Sequence, residues 1–340
     1  MVQWINSLPP VMWVDGLPAS QQFAIFSLLK IVIAIFAVVM PMVAYSVIAE
    51  RRISAWIQDR VGPNRVGIPF TNIHLWGLGQ PMADGVKSIL KEDFTPAHVR
   101  KIYFWLAPAI AMIPALMTLA VIPFGNTVTP GSGEANKAVI ADLNVGILYT
   151  FGIVSLSVYS IVLAGYASNS KYPFLGGIRS SAQMISYEIA MGMSIIPVFM
   201  LVGELNLTKV VEYQANGAWI IFKQPIAFIV FLIAAFAETN RLPFDMPESE
   251  SELVGGYNTE YSSMKFAMFF MGEYAAMIAV SAMMVILFLG GWTLPFAGLN
   301  EAAGSLGMGL IQMGIFIGKL LLFMGLFIWI RWMLPRFRYD

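Results

Sequence analysis

Six carboxylates crowd into residues 238–261, ETNRLPFDMPESESELVGGYNTEY: Glu238, Asp245, Glu248, Glu250, Glu252 and Glu260, with one arginine, Arg241, among them. Apolar runs of membrane-spanning length flank this stretch on both sides. Acids so close to lipid persist where they line water, pair with cations or keep part of their protons, and each of those conditions suits a group that passes protons on. A solvated loop that only joins two helices would carry the same acids without such a role.

Further acids sit inside the apolar runs. Glu50 closes the first, Glu188 lies about two turns into the fourth, Glu238 closes the fifth and Glu273 lies about two turns into the sixth. A charge at mid-helix costs about 2.5–3.5 kcal/mol on insertion scales, so four acids at matching depth imply one shared polar cavity. Glu50 and Glu238, taken singly, also fit helix-end residues reaching the interface; Glu188 and Glu273 are too deep for that. Lys319, near the centre of the last run, needs a carboxylate or water beside it and serves either a proton relay or a contact with a neighbouring subunit. Lys30 is nearer the outer face and can snorkel. Phe244 places an apolar ring beside Asp245, which suits a redox-active ring with a greasy tail.

The elements that must position these residues are membrane helices. The chain of 340 residues is 58% hydrophobic and 12% charged, with a mean hydropathy of +0.72, a composition that predicts an all-α, polytopic helical bundle. Seven runs reach spanning length, at roughly 23–48, 102–124, 144–166, 183–203, 223–240, 265–289 and 308–330. Residues 1–22, with Trp4 and Trp13, read as an outer, periplasmic interfacial segment, and 23–340 as a single membrane domain. Pro9, Pro10 and Pro18, with no basic stretch, argue against a signal peptide. The loop at 51–101 carries eight Lys and Arg residues, which puts it in the cytoplasm and, with it, the acidic loop at 241–264. Within the first loop, 81–92 reads as an interfacial helix, with Met82, Val86 and Ile89 on one face and Asp84, Lys87 and Lys91 on the other.

Other chemistries find little support. There is no cysteine, so this chain supplies no disulfide, thiolate metal site or iron–sulfur ligand. His74 and His98 stand outside any metal-spacing motif, and neither a P-loop nor a dinucleotide fingerprint occurs. A net charge of zero gives no reason to expect nucleic acid as a partner.

Four longer motifs are specific: GPNRVG at 62–67, ASNSKYPFLGGIRSSAQMISYE at 167–188, AETNRLPFDMPESESELVGGYNTEY at 237–261 and PRFRYD at 335–340. Together they resemble the H-type subunit family of NADH:quinone oxidoreductase, the quinone-pocket membrane component of bacterial respiratory complex I, from about Ile25 to the last residue. The resemblance implies a bundle of eight helices in the cell inner membrane, where the first span, the interfacial helix and the sixth span frame a gap for quinone. It places Glu50, Arg51 and Arg60 near that mouth, and Arg241, Phe244 and Asp245 on the loop lining the cavity. It carries Glu188, Glu238, Glu260 and Glu273 into an acidic proton relay, which Glu248, Glu250, Glu252 and one reading of Lys319 would extend. The substrate would be ubiquinone or menaquinone, with no metal, flavin or iron–sulfur cluster bound by this chain. Electron transport would reach it from a soluble iron–sulfur partner, and antiporter-like membrane subunits and lipids would be neighbours. The chain would act in a translocase complex and not as an enzyme alone. It departs from the family in a longer link at 68–76 and in ending at PRFRYD, where family members continue into one more span. A related membrane component of an energy-converting hydrogenase and a proton-coupled secondary transporter are the competing readings.

Overall fold

The computed structural model describes Ile25, Leu28, Leu29 and residues 31–67, 76–128, 136–248, 255–295 and 306–337. Residues 1–22, Lys30, His74 with most of the 68–76 link, Glu250 and Glu252 lie outside them.

Among the described residues, six helices are long and apolar enough to cross a membrane. They are α1 (Ile31–Ile57), α3 (Lys101–Thr118, extended to Val121 by a tighter turn), α4 (Gly146–Ala167), α5 (Lys171–Val202), α9 (Ser263–Phe288) and α10 (Leu306–Met333). The chain is thus a polytopic helical membrane protein. Between these lie the amphipathic helix α2 (Gln80–Leu90), a hairpin of β1 (Gly125–Val128) and β2 (Asn136–Ala138), and the short helices α6 (Leu207–Ala215), α7 (Ile220–Lys223) and α8 (Pro225–Glu238). The fifth expected span is α8, whose 14 residues rise only about 21 Å; the single turn of α7 precedes it, separated by Gln224.

Helix α5 corrects the sequence reading, starting at Lys171 where the hydropathy pattern put the span at 183. Its first turns carry polar residues that look like loop, yet Ser180, Ser181 and Gln183 are buried. It stops at Gly203, whose φ of 80° is the left-handed conformation glycine adopts readily at a helix end. Asn206 then starts α6, its Oδ1 accepting from the amides of Thr208 (2.8 Å) and Lys209 (3.3 Å).

The bundle is built around α9. It is apolar on every side, and nearly all of its residues from Tyr274 to Phe288 are buried. Small residues let neighbours approach: a Cβ on Gly272 would stand 3.1 Å from the Ala111 carbonyl oxygen of α3. Both ends are fastened. At the inner end Lys265 Nζ meets Asp93 Oδ1 at 3.0 Å and Thr95 Oγ1 at 2.9 Å, and Ser263 Oγ donates to the carbonyls of Ser88 (2.9 Å) and Lys91 (3.0 Å). At the outer end Gln214 Nε2 donates to the Ile286 carbonyl at 2.8 Å.

Lys319 of α10 also serves that outer end. Its Nζ donates to the carbonyls of Leu289 (2.7 Å), Gly291 (2.9 Å) and Thr293 (2.6 Å), and stands 4.4 Å from the centre of the Trp219 ring. The sequence asked for a carboxylate or water beside this lysine; backbone oxygens at the negative end of α9 meet its charge instead.

Candidate functional site

The loop that follows α8 is clasped by α5. Gln183 Nε2 donates to the carbonyls of Phe244 (2.8 Å) and Ala237 (3.1 Å), and Asn240 Nδ2 donates to Ser180 Oγ at 2.8 Å. These bonds fix both ends of a turn whose centre is Arg241. A second close approach anchors the far side of the loop: a Cβ on Gly176 of α5 would lie 2.9 Å from the Cα of Gly256, so only glycine fits at that crossing.

Arg241 is enclosed and joins two helices, α1 and α9. Its Nη1 donates to Glu50 Oε2 of α1 at 2.9 Å, its Nε stands 2.9 Å from Glu273 Oε1 of α9, and its guanidinium carbon lies 4.4 Å from the ring centre of Tyr274. Burial opposes its charge, but Glu273 and Glu50 outweigh that and hold it firmly protonated. Glu50 has two further partners: Tyr274 Oη donates to its Oε2 at 2.7 Å, and Arg331 Nη1 of α10 lies 2.7 Å from its Oε1.

The two carboxylates that this arginine pairs with line different cavities, Glu50 the one and Glu273 the other. The larger, about 570 Å³, lies between α1, α9 and α10 and is lined by Glu50, Arg51, Arg60, Tyr274 and Arg331 together with Val47, Val61, Phe270 and Trp332. That size and its mix of apolar walls with a few convergent polar groups fit a small organic ring. Arg51 also spans to α2, 2.9 Å from Asp84 Oδ2, and Arg60 bonds Gln58. The smaller cavity, about 90 Å³, lies between α3, α4, α5, α8 and α9, and Glu238, Glu248 and Glu273 line it with Thr118, Ser157, Ser160 and Asn240. Glu273 therefore faces this space while bonding the arginine that bonds Glu50.

The remaining acids are placed unevenly. Both Glu238 carboxylate oxygens are buried without a hydrogen-bond partner. Glu188 accepts from Ser155 Oγ of α4 and lies beyond the smaller cavity's lining. Glu260 lies apart, 3.9 Å from His98 Nε2. Asp245 is buried beside Arg336 Nη2 at 3.2 Å. Burial pushes its carboxyl up from 3.8 to about 6, against the pull of Arg336 and Arg331. Phe244 packs between the rings of Tyr187 and Phe337, at centre distances of 5.4 and 5.7 Å.

Sequence reasoning missed Arg331, Tyr274, Gln183 and Arg336. Tyr274 follows Glu273 directly, and one face of the inner half of α9 could have included it. Arg331 counted only toward orientation, because an arginine ending a span usually meets lipid headgroups.

Two buried acids paired through one arginine, each lining a cavity inside a helical bundle, define a polytopic membrane protein with a ligand-sized space beside a buried charge network. The sequence model of the NADH dehydrogenase family matches residues 29–340. An H-type subunit of NADH-quinone oxidoreductase from Geobacter metallireducens is 50% identical over 306 residues, covering 90% of this chain and 86% of the relative. The H-type subunit of the same oxidoreductase from Cytophaga hutchinsonii is 46% identical over 313 residues, 91% of this chain and 88% of the relative. That from Leptospira biflexa is 48% identical over 318 residues, 91% and 86%. The chain belongs to the NADH dehydrogenase family, as a multi-pass membrane subunit of the NADH-quinone oxidoreductase H type.

Proposed function

We propose that this chain forms the quinone cavity of a proton-pumping NADH:quinone oxidoreductase in a bacterial inner membrane, with its N-terminus on the periplasmic side, and that its buried acids couple quinone reduction to proton translocation. The observation that carries this reading is the placement of Arg241, which bonds a carboxylate of each cavity. The quinone ring takes the larger space, its tail leaving between α1, α2 and α9. Reduction to the quinol consumes two electrons, delivered by an iron–sulfur partner subunit, and two protons. Asp245 and the loop acids supply protons, and the change in charge acts through Glu50 and Arg241 on Glu273, then on Glu248, Glu238 and Glu188. Ubiquinone and menaquinone both fit this chemistry.

A photoreactive quinone bearing an isoprenoid tail tests the first half. In the assembled complex it should label peptides containing 47–63 or 270–274, and excess quinone should compete it away; labelling confined to other segments overturns the assignment.

Asp245 gives a pH test. Its carboxyl rises on folding from 3.8 to about 6, so it contributes stability below about pH 4 that is lost as the pH rises through about 6. Over the same window it changes from proton donor to anion. The quinone reduction rate should therefore bend near pH 6, and Asp245→Asn should remove the bend and lower the rate about tenfold. An identical pH profile in the variant would rule out Asp245 as the donor.

A further inference from the structure

The described part of the 335–340 motif closes back on the acidic loop. Helix α10 ends at Met333, and Pro335 turns the chain toward the residues after α8. There the Phe337 amide donates to the Pro243 carbonyl at 2.9 Å, its ring meets the Phe244 ring at 5.7 Å and 81°, and Arg336 Nη2 lies 3.2 Å from Asp245 Oδ2. Just before, at the end of α10, Arg331 holds Glu50 at 2.7 Å. A backbone bond, an edge-on ring pair and a largely buried ion pair thus reach three consecutive residues, Pro243, Phe244 and Asp245.

We propose that residues 331–337 act as a strap that ties the 241–245 turn to α10, with Arg336 and Phe337 as positioning residues for that turn, whose Arg241 holds Glu50 in the wall of the larger cavity. The strap ties the cavity wall supplied by α10 to the turn that carries Arg241. Loosening it therefore displaces Asp245 and Arg241 together, without removing either. Its kinetic consequence rests on quinone being the occupant; its structural consequence does not.

The test uses the assembled complex in membranes, comparing wild type with Arg336→Gln, Arg336→Lys and Phe337→Ala. Amide hydrogen exchange over 241–248 should speed up about tenfold in Arg336→Gln and Phe337→Ala, and Arg336→Lys, which keeps the charge, should restore most of the protection. The KM for a short-tailed quinone should rise about tenfold and kcat should fall with it, because Asp245 moves with the turn, while electron transfer to a hydrophilic acceptor upstream of the membrane should not change. Unaltered exchange in both variants overturns the strap. Faster exchange with an unmoved KM upholds it and tells against quinone as the occupant. Phe337→Ala removes no charge, so the test survives if Arg336→Gln hinders assembly.

Discussion

Arg241→Gln should abolish quinone reduction, with the residual rate below about 1% and little of the chain recovered in the assembled complex. Arg241 is fully buried between Glu50 and Glu273, and removing one partner of a buried ion pair typically costs about 3–5 kcal/mol because the other charge stays behind without compensation. Glu50 would keep Arg331 and Tyr274, so the contribution of the second ion pair is read at Glu273. This identifies the diagnostic double variant. Arg241→Gln with Glu273→Gln removes both charges and should recover much of the lost assembly, measured as intact complex on native gels, without recovering activity. Equal loss in the single and double variants would mean that the ion pair is not what the fold needs. Arg241→Lys should rescue poorly, since one ammonium cannot reach two carboxylates on opposite sides as a planar guanidinium does.

Glu238→Gln should have the reverse profile, with assembly and heat resistance kept or improved and proton translocation per electron lost. A carboxylate buried without a hydrogen-bond partner is costly to ionise. Glutamine has the same shape and no charge to desolvate, so the fold gains where the relay breaks. Glu238 also shares the smaller cavity with Glu273, the acid that pairs with Arg241. The measurement is the ratio of protons moved to NADH oxidised in sealed vesicles. An unchanged ratio would remove Glu238 from the pathway, whatever the variant does to stability.

The sequence reveals more of the acids than of what holds them. A buried carboxylate interrupts an apolar run and announces itself, which is how Glu188 and Glu273 stand out before any coordinates. The depth argument rests on charge in lipid being expensive wherever it occurs, but it expected one shared cavity, and Glu50 lines the larger space, Glu238 and Glu273 the smaller, and Glu188 neither. Partners are harder, since Arg331 and Glu50 are 281 positions apart and no periodicity links them. The start of α5 is missed for a related reason. Gln183 and Ser180 look solvent-seeking in a hydropathy profile, yet they face inward because the turn after α8 needs donors and acceptors there. Lys319 shows the limit most clearly, because its partners are main-chain oxygens, which every residue possesses and no sequence distinguishes.

The moorings of α9 restrict how news can cross the bundle. Lys265 and Ser263 tie its inner end to the α2–α3 connection, while Lys319 and Gln214 grip its outer end. A piston stroke would tear both sets of knots at once, for a rod whose flanks are packed nearly all round. Under the coupling proposed above, what remains is a relay of attraction and repulsion along a stationary spine, quick and needing almost no travel, with Glu273 and Tyr274 as the stations where the message changes sides.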